Sequence, residues 1–229
     1  GTLEFAAGSG TQVITPDPGS THPNLVNSAG STVQLSTSTL TCVSYTQTAG
    51  TLDFNTENMT TSNDFTISGG SATSIYNSGT SLNGVTLTVG GDCLFEGQSG
   101  SYIDLDPGGG WTVTVTCDLL AKYADIQNST ATNQYGYAVP ANDLGGNNAN
   151  WKFAYVWNGN TGGPPGDRTD FSVSGNWTPA GPPGANDIAS FETGAVNYCE
   201  LTQNVAVQAF YMTPDYTRNF DFNTYTLTV

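Results

Sequence analysis

A six-residue motif that occurs at two distant places constrains this chain more than any other feature. Residues 51–56 (TLDFNT) return as residues 219–224 (NFDFNT), and residues 85–89 (VTLTV) return as residues 225–229 (YTLTV). Such self-similarity is typical of repeat proteins, in which a coil of roughly 20 to 30 residues buries its apolar face only by stacking on neighbouring coils. The sequence therefore predicts a solenoid whose ends present unpaired strand edges.

Short runs in which apolar and polar residues alternate indicate that the coils are built from β-strands. Gly-Gly or Ser-Gly pairs follow or precede many of these runs, as turns require. Lysine and glutamate, which favour surface helices, are few, whereas threonine, valine, tyrosine and phenylalanine favour strands. The predicted fold class is therefore all-β. The runs occupy residues 2–5, 32–35, 40–45, 51–54, 65–67, 85–89, 102–105 and 111–116.

The charge of the chain excludes several classes of partner. Its 229 residues include 19 acidic and four basic side chains, which gives a formal net charge of −15. No basic patch that would displace counterions from phosphates can be assembled from the four basic residues, so we predict no nucleic-acid binding. These residues are Lys122, Lys152, Arg168 and Arg218. An anionic membrane surface would repel the chain, and no stretch approaches the roughly 20 apolar residues of a spanning helix. We therefore predict no membrane insertion.

The cysteines and the single histidine do not form a metal-binding pattern. The four cysteines include no CxxC pair, and His22 is the only histidine. The cysteines are Cys42, Cys93, Cys117 and Cys199. We therefore predict no metal site and no cofactor. The even number of cysteines is compatible with disulfides, for which Cys93 and Cys117 are the candidate pair. The alternative is that the cysteines are small apolar residues on inward-facing strand positions.

Chain-breaking residues mark a boundary in the second half of the sequence. Between residues 142 and 184 they include GGNN at 145–148, GGPPG at 162–166 and GPPG at 181–184, which are too rich in glycine and proline for a continuous sheet. We predict a β-solenoid body over residues 1–153, a Gly/Pro-rich junction over residues 154–185 and the start of a second β unit over residues 186–229.

Segments on both sides of this boundary resemble one group of proteins. Residues 123–129 (YADIQNS) and 143–153 (DLGGNNANWKF) resemble the closing coils of large bacterial cell-surface and secreted repeat proteins, the filamentous-haemagglutinin and autotransporter-passenger-like adhesins. Residues 156–159 (VWNG), 171–177 (FSVSGNW) and 183–191 (PGANDIASF) resemble the opening of a fresh unit in the same proteins. The resemblance implies a right-handed parallel β-helix at the cell surface.

The order of these segments, an end followed by a beginning, predicts head-to-tail assembly. The last strand of one copy would be completed by residues 1–5 of the next copy through strand-edge pairing. We therefore expect an extracellular structural protein, a subunit or module of a filament, sheath or adhesin, that is not an enzyme. Its predicted partners are copies of itself. The expected interface residues are Thr2, Leu3, Phe5, Phe220, Phe222, Leu227 and Val229.

A second hypothesis is a carbohydrate-binding adhesin module that does not polymerise. Aromatic rings stack on sugars when they are exposed, and cell-surface glycans would then be the ligands. Tyr135, Tyr137 and Trp177 are the candidate contacts. Trp111, in contrast, begins an alternating strand and is expected in the core.

A third hypothesis is a polysaccharide lyase or glycosidase, because parallel β-helices host such sites. Asp104, Asp106 and Asp125 are the candidate carboxylates. The chain offers only four basic residues as partners for them, and His22 is in a Thr-His-Pro-Asn turn rather than near a carboxylate cluster. Residues 103–108 (IDLDPG) superficially resemble a calcium loop, but a strand with inward Ile and Leu explains the spacing better.

Overall fold

The computed structural model describes residues 1–6, 8–69, 73–76, 84–105, 109–144, 147–159 and 167–229. The chain divides into two compact units, Gly1–Trp151 and Lys152–Val229. In the described residues the only helix is a single 3-10 turn, Ser174–Asn176, and strands dominate the remainder. The all-β prediction is confirmed, and the long parallel sheets described below are consistent with a parallel β-helix.

Unit 1 contains short strands throughout. In chain order they are β1 (Thr2–Phe5), β2 (Thr11–Ile14), β3 (Asn24–Asn27), β4 (Thr32–Leu35), β5 (Leu40–Cys42), β6 (Tyr45–Gln47), β7 (Gly50–Asp53), β8 (Met59–Thr61), β9 (Phe65–Ser68), β10 (Thr73–Tyr76), β11 (Thr86–Val89), β12 (Cys93–Glu96), β13 (Ile103–Leu105), β14 (Trp111–Val115), β15 (Leu119–Lys122), β16 (Ala124–Gln127), β17 (Ser129–Thr132), β18 (Gly136–Ala138), β19 (Ala141–Leu144) and β20 (Trp151–Phe153), which begins with the last residue of the unit.

These strands form three sheets, which the chain visits in a fixed order. Sheet A has the order β1-β3-β6-β9-β12-β15-β18-β20, sheet B the order β19-β16-β13-β10-β7-β4-β2, and sheet C the order β17-β14-β11-β8-β5. Pairing between successive coils is parallel. The coil step is the number of residues between a residue and its partner in the next coil. This step is short between Leu120 and Tyr137 and much longer between Ser74 and Asp104. Coil length therefore varies while the sheets continue.

The interior of unit 1 is a column of stacked side chains. Alternation along each strand sends every second residue inward, so aromatic residues of successive coils meet. In successive coils, the ring centroids of Tyr45 and Phe65 are 5.2 Å apart and those of Phe65 and Phe95 are 5.8 Å apart. Within one coil, the ring centroids of Phe95 and Trp111 are 6.1 Å apart. Each coil is thus stabilised by apolar contact with the coil before it and the coil after it.

Unit 2 repeats the three-sided plan over fewer coils. Its strands are β21 (Tyr155–Trp157), β22 (Trp177–Thr178), β23 (Ile188–Phe191), β24 (Cys199–Glu200), β25 (Val205–Ala206), β26 (Ala209–Met212), β27 (Phe220–Asp221) and β28 (Leu227–Thr228). β23 pairs with β26, β24 with β27 and β25 with β28, all in parallel. The three pairs place Ile188 opposite Ala209, Cys199 opposite Phe220 and Val205 opposite Leu227, so the coil step is nearly constant here.

The predicted Gly/Pro junction contains residues that belong to the core of unit 2. Trp157 and Trp177 are buried with their rings 5.2 Å apart, and both pack against Phe191. β21 pairs with β22 in the antiparallel orientation and with β23 in the parallel orientation. The boundary between the units lies after Trp151, slightly before the predicted end of the body at residue 153. Residues 160–166 of the junction, and the glycine pair at 145–146, lie outside the described residues.

Candidate functional site: the terminal coils

The repeated motif forms the same turn in both units. Asp53 Oδ1 accepts a hydrogen bond from the backbone N–H of Asn55 (3.0 Å), and Asp221 Oδ1 accepts one from Asn223 N–H (2.8 Å). Both asparagines have positive φ angles, 45° and 49°, which asparagine tolerates better than most residues. The shared Asp-Phe-Asn sequence therefore specifies a corner of the coil.

The asparagine of each turn also connects its coil to the preceding one. Asn55 Nδ2 donates to the carbonyl oxygen of Leu35 at 3.1 Å, and Asn223 Nδ2 donates to that of Leu201 at 2.8 Å. The side chains of both asparagines thus satisfy backbone carbonyl groups of the adjacent coil. One side-chain pair of the same kind joins Asn147 Nδ2 to Asn128 Oδ1 at 3.3 Å.

The phenylalanine between the two polar residues has a different environment in each turn. Phe54, in an inner coil of unit 1, is 0% exposed, whereas Phe222, in the last coil of unit 2, is 49% exposed. β10, in the coil that follows, pairs with β7, the strand just before Phe54. Among the described residues no strand pairs with the outer edge of β27. Phe222 is therefore an apolar residue without the covering coil that its equivalent has.

Other predicted interface residues in this last coil follow the same pattern. Phe220 is partly buried, with its ring 5.2 Å from that of Phe191 and 4.9 Å from that of Phe222. Leu227 is partly buried against the core of unit 2, and Val229 is exposed. The last coil thus has one side packed on its neighbour and one side bare within the described structure.

Met212 is an exposed apolar residue of this surface that sequence reasoning missed. In the β23–β26 pair it lies opposite the fully buried Phe191, and Phe210 lies opposite the fully buried Ala189. The coil step of unit 2 could have identified both residues, because Phe210 and Met212 follow the inward positions of β23 by one coil step. We call Phe210, Met212, Phe220, Phe222, Leu227 and Val229 the last-coil surface.

The first coil of unit 1 presents a comparable surface. Thr2 and Leu3 are exposed and Phe5 is half-buried, although Leu3 and Phe5 occupy inward positions of β1. β1 is an edge strand of sheet A and β2 is an edge strand of sheet B. Among the described residues, neither strand has a partner on its outer side. Their free backbone N–H and C=O groups can form a further parallel ladder. We call Thr2, Leu3 and Phe5 the first-coil surface.

The three predicted sugar contacts differ in accessibility. Tyr135 is 51% exposed and Tyr137 is half-buried. Trp177 is a correction: it is buried, its ring packs 4.8 Å from that of Phe171, and its Nε1–H donates to the Phe171 carbonyl oxygen at 2.7 Å. It has no free face for a sugar because aromatic residues distant in sequence enclose it.

The cysteines are free thiols, which corrects the candidate Cys93–Cys117 disulfide. Cys93 is buried on an inward position of β12, whereas Cys117 is exposed, with Sγ 3.9 Å from the Gly90 carbonyl oxygen. Burial raises the pKa of Cys42 to about 12 and that of Cys93 well above its ordinary value. Cys199 is buried too, so three of the cysteines are small apolar residues of strands, the alternative interpretation.

The predicted carboxylates do not gather into a metal centre. Asp104 lies opposite Asp125 in the β13–β16 pair, on the outward side of sheet B, and Asp125 Oδ1 accepts a hydrogen bond from Asn142 Nδ2 at 2.7 Å. Asp106 lies outside the described residues. The described part of the chain contains no group of three or more His, Cys, Asp or Glu side chains that could hold a metal ion.

Fold and surfaces together define an all-β protein of parallel coils whose first and last coils carry exposed inward-facing residues. Comparisons with protein-family models, curated proteins and solved structures find no match for the chain. Over the described ranges, no helix is long and apolar enough to cross a membrane.

Proposed function

We propose that this chain is a structural module of an extracellular filament, sheath or adhesin, a right-handed parallel β-helix that assembles head to tail. In this proposal the last-coil surface of one copy stacks on the first-coil surface of the next. The role is mechanical rather than catalytic. The resemblance to cell-surface repeat proteins supports the extracellular location in this proposal.

The contrast between Phe54 and Phe222 carries this proposal. The same Asp-Phe-Asn turn buries its phenylalanine completely in an inner coil and leaves it half exposed in the last coil. Covering a phenylalanine or leucine side chain contributes about 1.5–3 kcal/mol. A further coil placed on this surface would therefore gain apolar burial as well as strand pairing.

A second copy of the chain could cover this surface with apolar residues. Leu3 and Phe5 occupy inward positions of β1, and Phe210 and Met212 lie opposite buried residues of β23. Stacking of the two surfaces would bring inward apolar positions onto inward apolar positions, as inside each unit.

The acidic surface supports end-to-end rather than lateral association. With a formal net charge of −15, the outward faces of neighbouring filaments repel each other. The exposed ends are mainly apolar, so they escape most of this repulsion. Growth along one direction is the expected result.

Electron microscopy of the purified chain, with substitutions at the first coil, tests the proposal. Leu3→Lys places a charge on the inward position of β1, where a stacked copy would bury it. Val13→Lys is the matched control, because Val13 is also exposed but lies between the inward positions Gln12 and Ile14 of β2. Size-exclusion chromatography and circular dichroism would confirm that both variants fold.

Concentration-dependent fibres from the natural chain and from Val13→Lys, but not from Leu3→Lys, would support head-to-tail stacking. Monodisperse particles from all three chains, or equal fibres from all three, would refute it.

A further inference from the structure

An open groove lies on the surface of unit 1. It has a volume of about 330 Å³ and is lined, among the described residues, by Asn133, Gln134, Tyr135 and Asn150. This volume lies at the lower end of the range for small-molecule sites. Asn133 and Asn150 have positive φ angles of 70° and 61°, so the chain changes direction at both residues.

Hydrogen bonds hold the Asn150 side of the groove. Asn150 Nδ2 donates to the Ala131 carbonyl oxygen at 2.9 Å, and the Gly136 N–H donates to the Asn150 carbonyl oxygen at 3.0 Å. The buried Trp151 ring lies directly against Gly136, where a Cβ atom would approach it to 2.5 Å. This side of the groove therefore loses little conformational entropy when a ligand binds.

The chemical groups that the groove offers suit a neutral sugar. Tyr135 presents an exposed ring beside it. The side-chain amides of Asn133 and Gln134 form no hydrogen bond within the described part of the chain, so two donors and an acceptor on each are available to hydroxyl groups. Sugar rings combine apolar C–H faces with hydroxyl edges, which an aromatic ring and amides recognise together.

We propose that this groove binds a neutral oligosaccharide or a segment of a neutral polysaccharide. No charged side chain is among its described lining residues, and the net charge of −15 disfavours acidic glycans. The described lining residues all belong to unit 1 and are not part of the first-coil or last-coil surface, so the proposal does not depend on the proposed assembly. The site gives the module a means of adhering to a glycan matrix.

Affinity electrophoresis tests the site, with the full chain carrying Leu3→Lys so that assembly does not interfere. Native gels would contain starch, hydroxyethylcellulose or galactomannan as neutral probes and alginate as the acidic probe. Tyr135→Ala removes the ring, Tyr135→Phe keeps it, and Gln134→Ala removes one amide. Tyr198→Ala is the control, because Tyr198 is an exposed tyrosine of unit 2.

We expect at least one neutral probe to retard the chain, with an affinity reduced about tenfold by Tyr135→Ala, the scale of losing one stacked ring. Tyr135→Phe and Tyr198→Ala should bind normally, and Gln134→Ala should bind more weakly. Retardation by none of the neutral probes, retardation by alginate alone, or equal retardation of the Tyr135→Ala chain would overturn the proposal.

Discussion

Leu3 lies directly opposite Leu25 in the parallel pair of β1 and β3, yet Leu3 is 49% exposed and Leu25 is 1% exposed. The two side chains occupy the same inward position of successive coils. Leu25 is covered because Tyr45, in the next coil, lies over it on the other side. This inward position of sheet A is therefore buried where a strand lies on both sides of it and half exposed where one side is open.

Two blocked variants should form dimers with each other and nothing larger. Leu3→Lys blocks the first-coil surface and Phe222→Lys blocks the last-coil surface, so each variant alone has no compatible pair of surfaces. Mixed together, the intact last coil of the first variant can stack on the intact first coil of the second. Multi-angle light scattering should report monomers for each variant and dimers for the mixture.

Fibres in that mixture would contradict head-to-tail stacking, and so would dimers of either variant alone. Val13→Lys mixed with Phe222→Lys is the control, in which the first-coil surface is intact in both chains. Val13→Lys alone should form fibres, and Phe222→Lys should terminate them.

Iodoacetamide should modify one cysteine of the folded chain and four of the unfolded chain. Cys117 is exposed, whereas Cys42, Cys93 and Cys199 are buried and burial raises the pKa of each of these three thiols. Only the thiolate reacts, so at about pH 8 the buried thiols are protected by both burial and protonation. Mass spectrometry of the labelled chain would count the modified sites. Rapid labelling of Cys93 under native conditions would contradict its place in the core.

Asn55→Ala should lower the free energy of unfolding by about 2 kcal/mol, because alanine both strains at positive φ and loses the hydrogen bond to the Leu35 carbonyl. Asn55→Gly removes the strain and should cost about half as much. Urea denaturation followed by circular dichroism measures both. Asn223→Ala, in the last coil, is the matched variant and should affect global unfolding less, because a terminal coil opens locally. Equal effects of Asn55→Ala and Asn55→Gly would exclude backbone strain as a cause.

Glu192→Gln should stabilise unit 2 at neutral pH. Burial raises the pKa of the Glu192 carboxyl, and the hydrogen bond donated by Ser190 Oγ at 2.7 Å only partly offsets this effect. A carboxyl whose pKa is higher in the folded state favours folding below its unfolded pKa, and this contribution is lost as the pH rises through the folded pKa. The variant should therefore melt at a higher temperature than the natural chain at about pH 7 and at nearly the same temperature at about pH 3. A stabilisation that persists unchanged at low pH would show that ionisation is not its cause.

Local patterns in the sequence identified many strands correctly. The alternating runs at residues 2–5 and 32–35 coincide with β1 and β4, and the run at 111–116 contains β14. β3 and β18 were missed because their inward positions include Asn27 and Gly136, so neither strand shows apolar–polar alternation. Their positions are set by pairing with neighbouring coils rather than by their own residues.

The site residues show where sequence reasoning stops. Phe222 could be selected from the sequence because its motif repeats one whose place in a coil could be inferred. The burial of Trp177 could not, because it depends on tertiary contacts with Phe171 and Phe191 that no local pattern in the sequence shows. Met212 was missed for the same reason, since only its register with Phe191 shows that it faces inward.

The variable coil step has a consequence for how such a chain can change. The step from Ser74 to Asp104 is much longer than the step from Leu120 to Tyr137, yet the sheets continue unbroken. One described corner shows the difference: residues 97–102 connect β12 of sheet A to β13 of sheet B, whereas residue 123 alone connects β15 to β16. A corner can therefore lengthen without shifting the register of any strand. Foreign peptides inserted at these corners would be displayed at the surface, with neighbouring inserts separated by the spacing of the coils, about 4.8 Å or a multiple of it.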